Sequence, residues 1–273
     1  MSVSRETPAR KGPAMAEIYE TLKASLANER PVALATLVGG AGPLAAKLLV
    51  FQDGATQGTL GSAQLNARVA ADARPMIWQG AAKTISYTPE AADEPQAGAL
   101  DVFIETFPPP HKLVIVGAGH IAIPLTTFGK TLGYRVIVID ARAAFATRER
   151  FPHADEVICE WPDEVLGKQI PLHVATAAAV LTHDPKFDEP TLRVLLKSDV
   201  SYIGAIGSRK TSEERSERLR QQGITDEQLA RIHGPIGLNI GAVSPEEMAL
   251  AIMAEIVAAR HGRERSATAW QTK

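Results

Sequence analysis

Hydrophobic and polar positions follow two different rhythms along this chain. From residue 14 to residue 107 the apolar runs are short and often interrupted. A stripe of Ile18, Leu22 and Leu26 with intervening alanines predicts a helix over 14–28, which Pro31 ends. Strands are predicted over 32–38, 44–51, 56–60, 83–87 and 99–106. Gly39 to Pro43 reads as a turn, and Asp53-Gly54 suits the positive φ of a hairpin. Ser62 is placed to cap a helix running to about residue 72. The polar stretch 88–98, with Pro89 and Pro95, reads as a loop. Residues 14–107 thus read as a small α+β module.

Pro108-Pro109-Pro110 marks a boundary, because three prolines remove three backbone donors and favour a stiff extended linker. Beyond it the rhythm becomes strand, helix, strand. Strands are predicted over 113–116, 135–140, 156–159, 173–181 and 201–206. Helices are predicted near 121–132, 163–168, 187–197, 212–222 and 245–259. Near-continuously apolar strands alternating with helices point to a parallel sheet covered on both faces. Residues 111–262 are therefore expected to form an α/β, Rossmann-like doubly wound domain. The last helix has an explicit start, with Ser244 as N-cap, Pro245 at the first helical position and Glu247 completing a capping box. Residues 1–13 and 263–273 read as tails.

Composition narrows the function classes. The chain has 273 residues, 45% hydrophobic and 22% charged, which suits a globular protein with room for two cores. A formal net charge of −2 predicts no general affinity for nucleic acid or an anionic membrane. No apolar run approaches the roughly 20 residues needed to span a bilayer. The first dozen residues do not read as a signal peptide, and a cytoplasmic location is expected. Cys159 is the one cysteine, which excludes an intrachain disulfide and a cysteine-based zinc site. It reads as an inert core thiol at a strand end, and no metal site is expected.

The candidate chemistry centres on Gly117-Ala118-Gly119-His120-Ile121-Ala122, which follows a predicted strand and opens a predicted helix. Gly117 allows the tight turn, Gly119 lets a diphosphate approach the backbone, and Ala122 keeps the helix close to the sheet. The helix N-terminus then offers N–H groups and a partial positive charge to an anion. Asp140 ends the next strand, where it is placed to accept from a ribose diol, and Arg142 beside it leaves a 2′-phosphate open.

Three more polar clusters follow later strands. In the first, Asp184 reads as an N-cap with Pro185 after it, Asp188 as a first-turn acid, and His183 as a residue free to face the crevice. The second, Gly207-Ser208-Arg209-Lys210, is a suitable cradle for a phosphate, with Thr211 and Glu214 fitting a capping box. The charge run that follows, Glu213 to Arg220, reads as a solvated helix face. The third cluster, 231–241, reads as a packed loop rather than helix or strand, and His233 within it reads as structural more readily than functional.

With these segments in order, the chain resembles the XdhC/CoxI family of accessory and maturation proteins for xanthine and carbon monoxide dehydrogenases. The residues that carry the resemblance are LVIVGAGHIA (113–122), VID (138–140), ERFPHAD (149–155), LTHDPKFDEP (181–190), YIGAIGSRKT (202–211), RIHGPIGLNIGAVSPEE (231–247) and AEIVAAR (254–260). The resemblance implies a Rossmann-like domain that binds molybdenum cofactor, as molybdopterin or its dinucleotide form, and delivers it to a molybdenum hydroxylase apoenzyme. A cysteine desulfurase partner and a homo-oligomer accompany that expectation. The N-terminal half departs from the family pattern. Gly42-Pro43 stands without the family's arginine, and Ser62, Gln64 and Asn66 occupy a turn where the family tends to have cysteine and glutamate. Without a thiolate there, a cofactor-binding chaperone is implied rather than a catalyst of sulfur chemistry. The alternative reading is an NAD(P)-dependent oxidoreductase using the same glycine loop, with His183 as its candidate catalytic proton donor.

Overall fold

The computed structural model describes residues 15–88 and 98–262. The predicted tails and almost all of the predicted 88–98 loop lie outside them. The chain divides into two compact units between Pro109 and Pro110.

In the first unit, helix α1 (Met15–Ala27) precedes strands β1 (Val32–Gly39), β2 (Lys47–Phe51) and β3 (Thr56–Gly58), then helix α2 (Ala63–Met76), β4 (Ala82–Tyr87) and β5 (Leu100–Phe107). The strands form one antiparallel sheet in the order β3-β2-β1-β5-β4. Alternation along β1 serves two faces. Ala33, Ala35 and Leu37 meet Leu65, Val69 and Ala73 of α2, while Val32 and Leu34 join Leu49, Phe51 and Ile18 on the other side. The hairpin forms at Asp53-Gly54 as predicted: Asp53 Oδ1 accepts from the Ala55 N–H at 2.9 Å and Gly54 sits at φ +90°. Ser62 caps α2 by accepting from the Leu65 N–H. The helix continues one turn past the predicted end and carries Pro75 in that last turn.

The second unit contains β6 (Lys112–Val116), α3 (Ala122–Thr131), β7 (Arg135–Ile139), β8 (Glu156–Ile158), α4 (Pro162–Val165), β9 (Thr176–Val180), α5 (Pro185–Leu196), β10 (Tyr202–Ala205), α6 (Arg209–Gln221), α7 (Asp226–Leu229), β11 (Ile232–His233) and α8 (Pro245–Arg260). Six parallel strands lie in the order β11-β10-β9-β6-β7-β8. Helices cover both faces, as the continuous apolar strands require. Leu113 and Ile115 pack toward Leu125 of α3 and Ile252 and Ile256 of α8; Val114 and Val116 share the opposite core with Leu192 and Leu195 of α5 and Leu219 of α6. The strand order reverses between β6 and β9. In an open sheet of this kind, the crevice at that reversal, outside the carboxyl ends of the strands, is where ligands bind.

Four readings of the second half need correction. Cys159 is exposed rather than in the core, because β8 stops at Ile158. Within 231–241, Ile232–His233 does form a short parallel strand, paired with Ile203 and Gly204. Helix α6 begins three residues early because Ser208, not Thr211, is its cap: Ser208 Oγ accepts from the Thr211 N–H at 3.1 Å. Arg215 is buried, not part of the solvated face. The caps at Asp184 and Ser244 form as predicted. Among the described residues, no helix is long and apolar enough to cross a membrane.

Candidate functional site

The turn out of β6 is built for close backbone approach. Gly117 has φ +100°, and a Cβ on it would stand 2.7 Å from Thr182 Cγ2 and 3.0 Å from the backbone of β9's exit. This glycine is demanded by the fold itself. Gly119 differs, since a Cβ there would meet nothing within 4 Å and its φ is ordinary. The fold does not need a glycine at 119, yet leaves open space above it. Ala122 is fully buried at the start of α3, and His120 is exposed on the turn. Gly119 stands just before the first turn of α3, whose leading N–H groups have no acceptor within the helix, a favourable setting for an anion.

Asp140, read from sequence as a ribose acceptor, is committed elsewhere. Its Oδ2 accepts from the Ala118 N–H at 2.8 Å and from Arg142 Nη2 at 2.7 Å; its Oδ1 accepts from the Arg142 N–H at 3.0 Å and Nε at 2.9 Å. Four donors fill the four acceptor positions of the carboxylate. Burial pushes this carboxyl up, but Arg142 and the two N–H groups outweigh it and hold it below the usual range. Asp140 therefore pins the glycine turn and aims Arg142, and presents no free acceptor to a ribose.

On the other flank of the crevice, β9 ends at Thr182 and His183. His183 is exposed and takes φ +63°, an unusual conformation for a residue with a Cβ. Asp184 caps α5. Asp188 is buried; it accepts from the Thr182 hydroxyl and lies 3.9 Å from Arg215, and burial raises its carboxyl above the usual range against both partners. Arg215, with 4% of its side chain exposed, donates through Nη2 to the Ile206 carbonyl, while its buried Nη1 has no acceptor among the described residues. The pair thus ties β9, β10 and α6 together at the strand ends.

The predicted phosphate cradle at 208–210 is only partly assembled. The Ser208 hydroxyl is spent on capping α6. Arg209 lines a cavity of about 680 Å³ with Ser212, Ser216 and Gly234, and Lys210 is 84% exposed beside Glu214. Gly207 does border the crevice. Together with Ile121, Ile206, Ile236, Leu238 and Met248 it lines an apolar cavity of about 210 Å³ between the start of α3 and the 235–242 loop. That loop is anchored from beneath by buried Glu255, which accepts from the Tyr202 hydroxyl at 2.5 Å and the Gly237 N–H at 2.7 Å, and pairs with His233 Nδ1 at 3.3 Å. Burial pushes Glu255 up, but these donors prevail and lower it. His233 is structural in this arrangement.

Sequence reasoning missed one group at the crevice. Trp161 is 47% exposed and stacks on Phe187 with centroids 4.6 Å apart and planes 22° apart. The Arg142 guanidinium lies 4.3 Å from the Phe145 ring centroid and 6.0 Å from that of Phe187. These residues come from the segments that follow β7, β8 and β9. Only their shared position after strand ends signals them in the sequence.

Strand order, glycine turn and switch-point crevice define the second unit as a Rossmann-type domain. The XdhC Rossmann domain matches residues 113–256, and the XdhC and CoxI family matches residues 25–88; the chain belongs to the XdhC and CoxI family. It is 33% identical over 160 residues to a Bacillus subtilis protein described as a probable xanthine dehydrogenase subunit, covering 59% of this chain and 46% of the relative. It is 30% identical over 89 residues to the molybdenum cofactor insertion chaperone PaoD of Escherichia coli, covering 33% and 28% respectively. The chain thus aligns with less than half the length of these curated relatives. A crystal structure described as a xanthine dehydrogenase from Bacillus halodurans shares the fold at TM-score 0.50 and 22% identity, over 93% of this chain and 98% of that one.

Proposed function

We propose that this chain binds molybdenum cofactor, as molybdopterin or its nucleotide form, and delivers it to an apoenzyme of the xanthine dehydrogenase type. Family membership supports an accessory role in the maturation of such enzymes, and the name of PaoD supports cofactor insertion as its content. The observation that carries the reading is Gly119: it is bare where the fold does not require it, at the start of a helix. A phosphate is the group that such a place accommodates. The residues fit the anionic end of the cofactor on that ground. Backbone N–H groups of the 117–122 turn would hold the phosphate, with Gly207 and the 235–242 loop closing the apolar side. Asp140 would act by fixing the turn. The cofactor is cargo here, so the chain's own task is to bind it, exclude water from it and release it. The exposed Arg209 and Lys210 would contact the anion or the acceptor protein.

The test is co-expression with the genes for cofactor synthesis, anaerobic purification, and identification of retained small molecules by mass spectrometry and oxidised-pterin fluorescence. A pterin signal near one equivalent is expected, and Gly119→Asp should abolish it through steric and charge conflict while leaving the protein soluble. Failure to bind cofactor under anaerobic conditions would overturn the reading. Titration with NAD(H) and NADP(H) in parallel reports on the oxidoreductase alternative, for which saturable binding and turnover are required.

A further inference from the structure

We propose that the strand ends after β7, β8 and β9 hold a stacking site for the heterocycle of a nucleotide, formed by Trp161 and Phe187 and bordered by the Arg142 guanidinium. The inference rests on the reading that a phosphate lies on the 117–122 turn, and it deepens that reading by naming the ligand class: a nucleotide rather than a bare pterin phosphate.

Three observations carry it. First, Trp161 leaves 47% of its surface in water while stacked on Phe187 at 4.6 Å. Trp161 and Phe187 come from different strand-to-helix segments, and each is held by a helix start, Trp161 preceding Pro162 and Phe187 lying in the first turn of α5 behind the Asp184 cap. The platform is therefore pre-organised. Second, Arg142 is fixed by the same carboxylate that fixes the glycine turn, so the distance from turn to guanidinium is set by one residue, Asp140. Two of its five side-chain N–H groups go to that carboxylate; among the described residues the other three have no hydrogen-bond acceptor, and they suit a phosphate or a ring carbonyl. The guanidinium rests on Phe145, so its plane is set as well. Third, the apolar cavity of about 210 Å³ is lined by residues that follow β6, β10 and β11 and by α8, and shares no residue with the platform, whose Trp161 and Arg142 follow β8 and β7 on the other side of β6. A ligand whose phosphates cross the turn has two ends, and the crevice offers each a different surface. Base–aromatic stacking tolerates any nucleobase, because each presents a flat π face, and the guanidinium adds a cation–π contribution.

The test uses the whole chain and AMP, CMP, GMP and inorganic diphosphate as separate probes, followed by calorimetry and tryptophan emission. Nucleotides should bind saturably and quench emission, and diphosphate should bind without quenching. Trp161→Ala should weaken nucleotide binding by about 5- to 100-fold and leave diphosphate unchanged. Trp161→Phe should keep most of the affinity, and lose the quench since the reporter is gone. A platform is overturned by nucleotide affinity that Trp161→Ala does not change, or by absence of nucleotide binding at millimolar concentration. If molybdopterin binds while every nucleotide fails, this inference falls and the cofactor-binding reading stands. If diphosphate and molybdopterin fail too, the phosphate placement falls first.

Discussion

Two glycines two residues apart in the same turn separate what the fold needs from what a ligand needs. At Gly117, a methyl group meets Thr182 at 2.7 Å on a backbone with φ +100°. Gly117→Ala should cost about 1–3 kcal/mol, read as a lower urea midpoint at unchanged slope. At Gly119 the methyl group meets nothing, so Gly119→Ala should leave stability within about 0.5 kcal/mol of the parent while weakening ligand binding. Equal destabilisation by both would remove the distinction. Asp140 makes a third case. Asparagine would set an NH₂ group against a donor now served by carboxylate oxygen, at a cost of about 1–3 kcal/mol. The sign of its pH dependence follows from the lowered carboxyl. The stabilisation is complete above the unfolded value near pH 4 and is lost as pH falls through the lower folded value. The gap in urea midpoint between parent and Asp140→Asn should therefore narrow below about pH 4; a gap constant from pH 3 to pH 6 would contradict the assignment.

At the scale of elements, the start of α6 shows what a sequence pattern carries and where it stops. Thr211 with Glu214 and Ser208 with Thr211 both offer capping geometry, and the spacing alone does not choose between them. The choice is made by Gly207, whose φ of +140° turns the chain so that Ser208 is the last extended residue. Ser208→Ala should lower stability by about 1 kcal/mol and leave affinity for phosphate unchanged, as the hydroxyl is spent on the cap; a loss of affinity with no loss of stability would return Ser208 to the binding site. Arg215 was hidden in a run of charges for a related reason. It lies on the same helix stripe as Leu219, four residues on, and that stripe faces the core. Long apolar runs made the parallel strands legible, and the Gly117–Ala122 turn was legible from its spacing. Strand β11, at two residues, is too short to show a period. The Trp161–Phe187 stack joins residues 26 positions apart in the chain, and the bond from the Ala118 N–H to Asp140 spans 22. No local pattern encodes either one.

At the scale of the whole molecule, the division at Pro109 and Pro110 has an energetic content. Strands β1 to β5 pair among themselves and β6 to β11 among themselves, so among the described residues no sheet pairing crosses the boundary. The second unit has two apolar cores, one on each face of its sheet. A domain of about 150 residues buries enough of its surface to fold alone. Every residue assigned to ligand contact, from Gly117 to the 235–242 loop, belongs to this unit. Residues 110–262 expressed alone should therefore unfold in a single cooperative transition, with calorimetric and van't Hoff enthalpies in agreement. The fragment should also keep the nucleotide affinity of the full chain and its sensitivity to Gly119→Asp and Trp161→Ala. A fragment that folds cooperatively but binds at least tenfold more weakly would assign part of the site to residues before Pro110. A fragment without a cooperative transition would show that the two cores on the six-stranded sheet are not sufficient, and the division at the prolines would then describe contacts rather than folding units.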